Sequence, residues 1–348
     1  MDIELVSRLQ GSKLKLWTDF LDRCGLKSDE TISQTVLILE EGELIATGSR
    51  HENILKCIAV DSAHRGEDLT AKLLTQLRKE AFQDGFRHLF LYTKPENKYL
   101  FSSLFFYPVV QTDKVLLMED QKNGILRFLE RISTDQTSTA VQTSADVPVA
   151  GAGQLSSPRI VGAAVMNCNP FTLGHRYLIE QAAKECSRLF IFVLSEDKSY
   201  FSAKDRLKMV HLGTEDLTNV TVLPTGPYLI SSATFPTYFL KQRENAHKLH
   251  CQLDIEIFTK YFVPAFSITR RYVGTEPLSP MTNRYNEVLK SSLTAKGIEV
   301  CELPRLTVDG IPISASTVRA HIEAKDREAL KCLVPQTTYH YLLTKGLL

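Results

Sequence analysis

The segment VMNCNPFTLGHRYLIEQA (residues 165–182) passes from one structural pattern to another without a break. An apolar, strand-like run, IVGAAVM (160–166), ends in a polar loop holding two asparagines, a proline, a glycine and a histidine. Directly after the loop, Leu178, Ile179, Ala182, Ala183 and Cys186 fall at helical spacing. A helix starting near Gly174 has free backbone N–H groups and partial positive charge at its N-terminus, a setting that favours an anion. Gly174 leaves room for the backbone to approach a ligand. Thr172 and His175 are three residues apart, so both are expected to face the same phosphate. The imidazole would donate as charge develops there. The pattern GxxxxGK[ST] is absent, so this is not a P-loop.

Working outward, four further apolar runs read as strands: LFIFVL (189–194), VTVLP (220–224), SITRRYVG (267–274) and IEVCELP (298–304). Helical patterns separate them. Short apolar strands alternating with helices imply a parallel sheet covered on both faces, with ligands bound at its carboxyl edge. Residues 1–132 mix strand and helix patterns as well. VLILEEGELIATGSR (36–50) reads as two strands around a turn, and LTAKLLTQLRKEAFQDG (69–85) reads as a helix ending at a glycine. Between the two regions, residues 133–157 are dominated by Ser, Thr, Gln, Ala and Gly and have no large aromatic side chain. Such a stretch buries too little to offset ordering entropy, so a flexible linker is expected. The chain is therefore α/β, with an N-terminal α+β domain (1–132), the linker (133–157) and a C-terminal Rossmann-like domain (158–348).

Composition narrows the function classes. The 348 residues are 43% hydrophobic and 23% charged, with a formal net charge of +1, so nothing favours nucleic acid or an anionic membrane as partner. No apolar run approaches the ~20 residues of a membrane span, and no signal-peptide pattern opens the chain. The seven cysteines are scattered and never spaced CxxC, which fits reduced thiols in a cytoplasm and no zinc site.

The loop motif TLGH (172–175), together with ISASTVR (313–319), resembles the two signatures of the nucleotidyltransferase superfamily, T/HxGH after the first strand and ISxSxxR near the C-terminal end. The segments GAAVMNCNPFTLGHRYLIEQAA, YLISSATFPTYFLK, VGTEPLSPMTNRYNEVL and GIPISASTVR are more specifically similar to the citrate (pro-3S)-lyase ligase family. That resemblance runs over nearly all of residues 158–348. VDSAHRGEDLTAKLL (60–74) resembles the pyrophosphate loop and helix of acetyltransferase-like (GNAT) domains.

The resemblance implies a ligase that uses ATP, with magnesium on the triphosphate, to join acetate to a thiol. The acceptor would be the dephospho-coenzyme A-type prosthetic group on the acyl carrier subunit of the citrate lyase complex. His175, Thr172 and Arg319 are the implied catalytic residues. The implied ATP-binding set adds Asn167, Asn169, Phe171, Gly174 and Arg206, then Gly274, Glu276, Ser314 and Ser316. Arg65 and Gly66 are the implied contacts to a coenzyme A-like arm, and no protein-built metal site is expected.

Asp68 stands where the GNAT loop usually carries a second glycine. An acidic side chain there would repel a pyrophosphate and cover backbone donors, which counts against acetyl-CoA-dependent transfer. Cys168 inside the loop raises the question of a covalent acyl-thioester. The same two motifs also serve adenylyltransferases acting on free metabolites such as a phosphopantetheine or a mononucleotide, which would differ in releasing a dinucleotide-type conjugate.

Overall fold

A computed structural model describes residues 1–29, 31–134, 159–196, 199–229, 238–239, 246–275 and 280–348. The chain forms two compact units. One comprises Met1–Ile125 together with Ser232–Glu256, and the other Leu126–Ser231 together with Ile257–Leu348. Each unit is thus discontinuous in sequence, where the sequence pattern has a single cut. Of the expected linker, Ser133 and Thr134 belong to a helix, and residues 135–157 lie outside the described residues.

The first unit is built on β1 (Asp2–Val6), α1 (Gly11–Arg23), β2 (Gln34–Glu40), β3 (Glu43–His51), β4 (Ile54–Val60), α2 (Leu69–Gln83), β5 (Phe90–Thr93), α3 (Lys98–Ser103), β6 (Tyr107–Gln111) and β7 (Leu116–Glu119). Helix α4 (Gly124–Thr134) starts at its edge. The seven strands form one sheet in the order β1-β2-β3-β4-β5-β7-β6. All neighbours are antiparallel except β4 and β5, which run parallel. Helix α2 lays Leu69, Leu73, Leu74, Leu77 and Ala81, its helical-period apolar face, against Val36, Ile38, Ala46 and Leu55 of the sheet.

The second unit contains β8 (Val161–Met166), α5 (Leu173–Glu185), β9 (Arg188–Val193), α6 (Ala203–Leu212) and β10 (Val220–Pro224). Helix α7 (Ala246–Ile257) leads into it. There follow α8 (Val263–Phe266), β11 (Arg270–Gly274), α9 (Pro280–Thr294), β12 (Glu299–Leu303), the short pair β13 (Thr307–Val308) and β14 (Ile311–Pro312), then α10 (Ala315–Glu323), α11 (Arg327–Lys331) and α12 (Gln336–Thr344). Five parallel strands make one sheet in the order β10-β9-β8-β11-β12. In chain order this is 3-2-1-4-5, so the winding reverses between β8 and β11. The carboxyl end of that gap is where doubly wound sheets bind ligands.

Small residues in β8 have a packing reason. A Cβ on Gly162 would lie 2.5 Å from the Cys186 sulfur and 2.9 Å from Tyr272, so a side chain there would displace α5 from the sheet. Strand β11 is shorter than its sequence pattern. Ser267 takes a left-handed conformation (φ 53°) after α8, and pairing begins only at Arg270.

Candidate active site

In the second unit the loop after β8 delivers Thr172 as the N-cap of α5. Its hydroxyl oxygen accepts the His175 amide at 3.3 Å, and the Thr172 amide donates to His175 Nδ1 at 3.1 Å. A backbone amide only donates, so Nδ1 holds the lone pair and the ring proton sits on Nε2. No described residue accepts from Nε2. Burial, with the nearby charge of Arg305, pushes the His175 pKa down from 6.5 to about 4, so the imidazole is neutral at physiological pH. The Leu173 amide is taken by the Leu333 carbonyl at 2.9 Å, while the Gly174 amide keeps no acceptor among the described residues.

The second motif meets the first here. Ser314 caps α10 by accepting the Thr317 amide at 3.1 Å, and its hydroxyl lies 2.9 Å from that of Ser316. The position of a Cβ on Gly174 would be 3.5 Å from the Ile313 carbonyl, so the two helix starts sit side by side. Arg319 donates from Nη1 to the Asn169 carbonyl at 2.6 Å, and its other nitrogens have no partner among the described residues. Arg305, at the carboxyl end of β12, bonds the Thr275 carbonyl at 2.8 Å. The result is a cluster of donors and cations at the winding reversal: neutral His175 Nε2–H, the Gly174 amide, the open first turn of α10, Arg319 and Arg305. This chemistry accommodates several adjoining phosphates.

The comparisons with known proteins follow the sequence halves, the C-terminal match running through residues 232–256 of the first unit. A model of the citrate lyase ligase C-terminal domain matches residues 161–342, and the acetyltransferase (GNAT) family matches residues 6–100. The [Citrate [pro-3S]-lyase] ligase of Klebsiella pneumoniae is 40% identical over 329 residues, covering 93% of this chain and 91% of that one. Its namesake from Haemophilus influenzae is 38% identical and covers 99% of both chains. The Escherichia coli K12 protein is 36% identical, covering 97% of this chain and 92% of its own. The chain belongs to the citrate lyase ligase family.

In this ligase several residues implied by the motifs hold the site without facing a ligand. Thr172 is 1% exposed and acts through His175, so the expectation that both face one phosphate gives way to a reciprocal cap. Phe171 is fully buried under Gly213 and stacked on His175 at 6.0 Å, so it supports the histidine from behind and has no surface left for ATP. Arg206 is also fully buried. Its guanidinium donates to the carbonyls of Phe201 (3.1 Å), Asn167 (3.0 Å), Leu194 (2.8 Å) and Glu196, and to Asn167 Oδ1 (2.6 Å). With its N–H groups committed, Arg206 ties the loop after β8 to the loop after β9 and, contrary to the expectation of a ligand-facing cation, is directed inward.

Asn169 Oδ1 accepts the Phe201 amide at 3.0 Å, another brace between the same loops. The Gly274 carbonyl is held by Asn286 at 3.0 Å, and Glu276 lies outside the described residues. Cys168 is 1% exposed and burial pushes its thiol far up, which leaves no reactive thiolate for an acyl-thioester. Arg305 was missed. Its signal was a cation placed immediately past a strand's carboxyl end.

The first unit of the ligase has its own cleft, of about 830 Å³. Strands β4 and β5 pair only at Ile54–Phe90 and Leu55–Leu91, and the cleft lies where they diverge. Arg65, Gly66 and Asp68 line one end. Gly66 needs its φ of 96°, and Asp68 itself sits at φ 56°, the left-handed conformation that explains why glycine is usual there. The Asp68 side chain makes no capping bond, so, contrary to the sequence expectation, it does not cover the first amides of α2. At the inner end Tyr238 donates to the Tyr92 carbonyl on β5 and accepts the Lys27 amide at 2.8 Å.

Proposed function

We propose that the enzyme activates acetate with ATP and transfers the acetyl group to the prosthetic-group thiol of the citrate lyase acyl carrier subunit. In the first step an acetate oxygen attacks the α-phosphorus in line. The bond to the bridging oxygen breaks, and pyrophosphate leaves with acetyl-AMP behind. In the second step the thiol sulfur attacks the acetyl carbonyl. The carbon–oxygen bond to AMP breaks, AMP leaves with that oxygen, and the thiol proton passes to solvent. Positioning and charge stabilisation dominate such chemistry.

His175 Nε2–H and the Gly174 amide donate to the oxygens where charge develops. Ser314, Ser316 and the first turn of α10, with Arg319, hold the departing pyrophosphate, and Arg305 adds positive charge beside His175. Asn167, Asn169, Thr172, Phe171 and Arg206 keep these groups in place. Magnesium, when bound, neutralises phosphate charge. The first-unit cleft grips the pantetheine-type arm, with Arg65 and the amides around Gly66 at its pyrophosphate.

The observation that carries this reading is the fixed tautomer of His175, whose Nε2–H has no acceptor among the described residues and stands with the Gly174 amide, Arg319 and Arg305 at the winding reversal. Acetate-dependent exchange of labelled pyrophosphate into ATP, with magnesium and thiol-form citrate lyase, tests it. Exchange that requires acetate is the expected result. ATP turnover that instead joins AMP to a free metabolite would replace the reading with an adenylyltransferase.

A further inference from the structure

Arg271, the second residue of β11, is 2% exposed. Among the described residues its Nε and Nη1 have no hydrogen-bond partner, and none forms an ion pair with it. Its guanidinium carbon lies 4.1 Å over the ring of Phe258. In register Arg271 pairs with Ala163 of β8 and Val300 of β12, and Ala163 pairs with Phe190 of β9. Paired residues of a parallel sheet share a face, so Arg271 stands on the face of Phe190 and opposite the face where Tyr272 packs with Cys186 and Leu189. Phe190 in turn packs on Phe266 at 4.8 Å. Phe258 and Phe262 stack at 6.2 Å within a π-helical stretch, Phe258–Phe262. Such stretches are rare and concentrate at functional sites.

A buried cation without a counter-charge is costly, and a cation–π contact offsets only part of that cost. Buried polar groups left open in a native fold call for an occupant. A water molecule would complete hydrogen bonds but leave the charge unbalanced, whereas a carboxylate does both and matches the planar fork of a guanidinium. The Phe258 ring beside that fork suits a short aliphatic group. Strand β11 borders the winding reversal, and Arg271 lies three residues, about 10 Å, before its carboxyl end at Gly274.

We propose that Arg271 is the anchor for the carboxylate of the small monocarboxylic acid that this ligase activates. The inference rests on the acid-activating reading above and specifies where the acid binds. Its test compares the full-length wild-type chain with Arg271→Lys and Arg271→Met. Sodium acetate is titrated in two measurements, thermal melting against a sodium chloride control and pyrophosphate exchange.

Acetate should raise the wild-type melting temperature above the chloride control, and Arg271→Met should abolish that rise. In exchange, Arg271→Lys should raise the KM for acetate about tenfold or more while the KM for ATP stays within about twofold. Unchanged acetate dependence in Arg271→Lys, in both melting and exchange, overturns the proposal. If Arg271→Met does not fold, the lysine variant alone decides. Absence of acetate-dependent exchange in the wild type would count against the function itself, and the melting arm would still report whether Arg271 takes a carboxylate.

Discussion

His175 and Thr172 hold one another: the ring nitrogen Nδ1 accepts the Thr172 amide at 3.1 Å while the Thr172 hydroxyl oxygen accepts the His175 amide at 3.3 Å. The capping box that starts α5 therefore also sets the imidazole tautomer, and a local folding motif orients the ring's N–H donor.

Replacing that donor should cost rate more than affinity. His175→Ala is expected to lower pyrophosphate exchange about 10²- to 10³-fold, the range for loss of one preorganised donor to developing charge. Thr172→Val should show a smaller loss of the same kind together with about 1 kcal/mol of stability from the lost cap, and Thr172→Ser should restore both. Exchange kinetics and urea titration of the three variants check this.

The pH behaviour has a definite sign. The folded-state pKa of His175, about 4, lies below its ordinary 6.5, so between these values the unfolded chain binds more protons. Stability contributed by the neutral ring is complete above 6.5 and is lost as pH falls toward 4. The ring resonances of His175, assigned through a His175→Gln variant, should titrate near 4. Urea midpoints should fall with pH through that window more steeply in the wild type than in the variant. A His175 titration near 6.5 would contradict the half-buried, Arg305-adjacent environment.

Arg206→Lys should destabilise the second unit by about 3–5 kcal/mol, because a single ammonium cannot serve the carbonyls that the buried guanidinium joins. Exchange by the surviving folded fraction should fall as well, since the loop bearing Asn167 and Asn169 loses its strut. A normal urea midpoint would show that the strut is dispensable.

Cys168→Ser should leave exchange within about twofold of wild type, since a thiol raised by full burial takes no part as a nucleophile. Its cost should appear in stability, about 1 kcal/mol for the buried hydroxyl. Loss of acetyl transfer with a normal melting curve would reopen covalent catalysis.

The parallel sheet of the second unit was legible because its strands are continuous apolar runs, which only a sheet buried on both faces allows. The strand order was not, since register and crossover depend on packing such as that of Cys186 and Tyr272 around Gly162. At the site, TLGH and ISASTVR located the two helix starts correctly. Their individual roles were less legible, because spacing along the chain does not distinguish a side chain aimed at a ligand from one aimed at its neighbour. Arg206 and Phe171 share the motif's residue types but face inward. Arg305 belongs to no motif, and Arg271 reads as one of two adjacent arginines whose opposite faces only the sheet decides.

Tyr238, which closes the inner end of the first-unit cleft, comes from residues 232–256, far along the chain from the strands it touches. During synthesis, therefore, the seven-stranded sheet can form early, but its cleft gains that wall only after the segment reaching Glu256 has emerged from the ribosome. A recombinant fragment ending near residue 132 would expose the Tyr92 carbonyl and an open groove. Fragments intended to report on the cleft have to supply the later segment, either by linkage or as a separate chain.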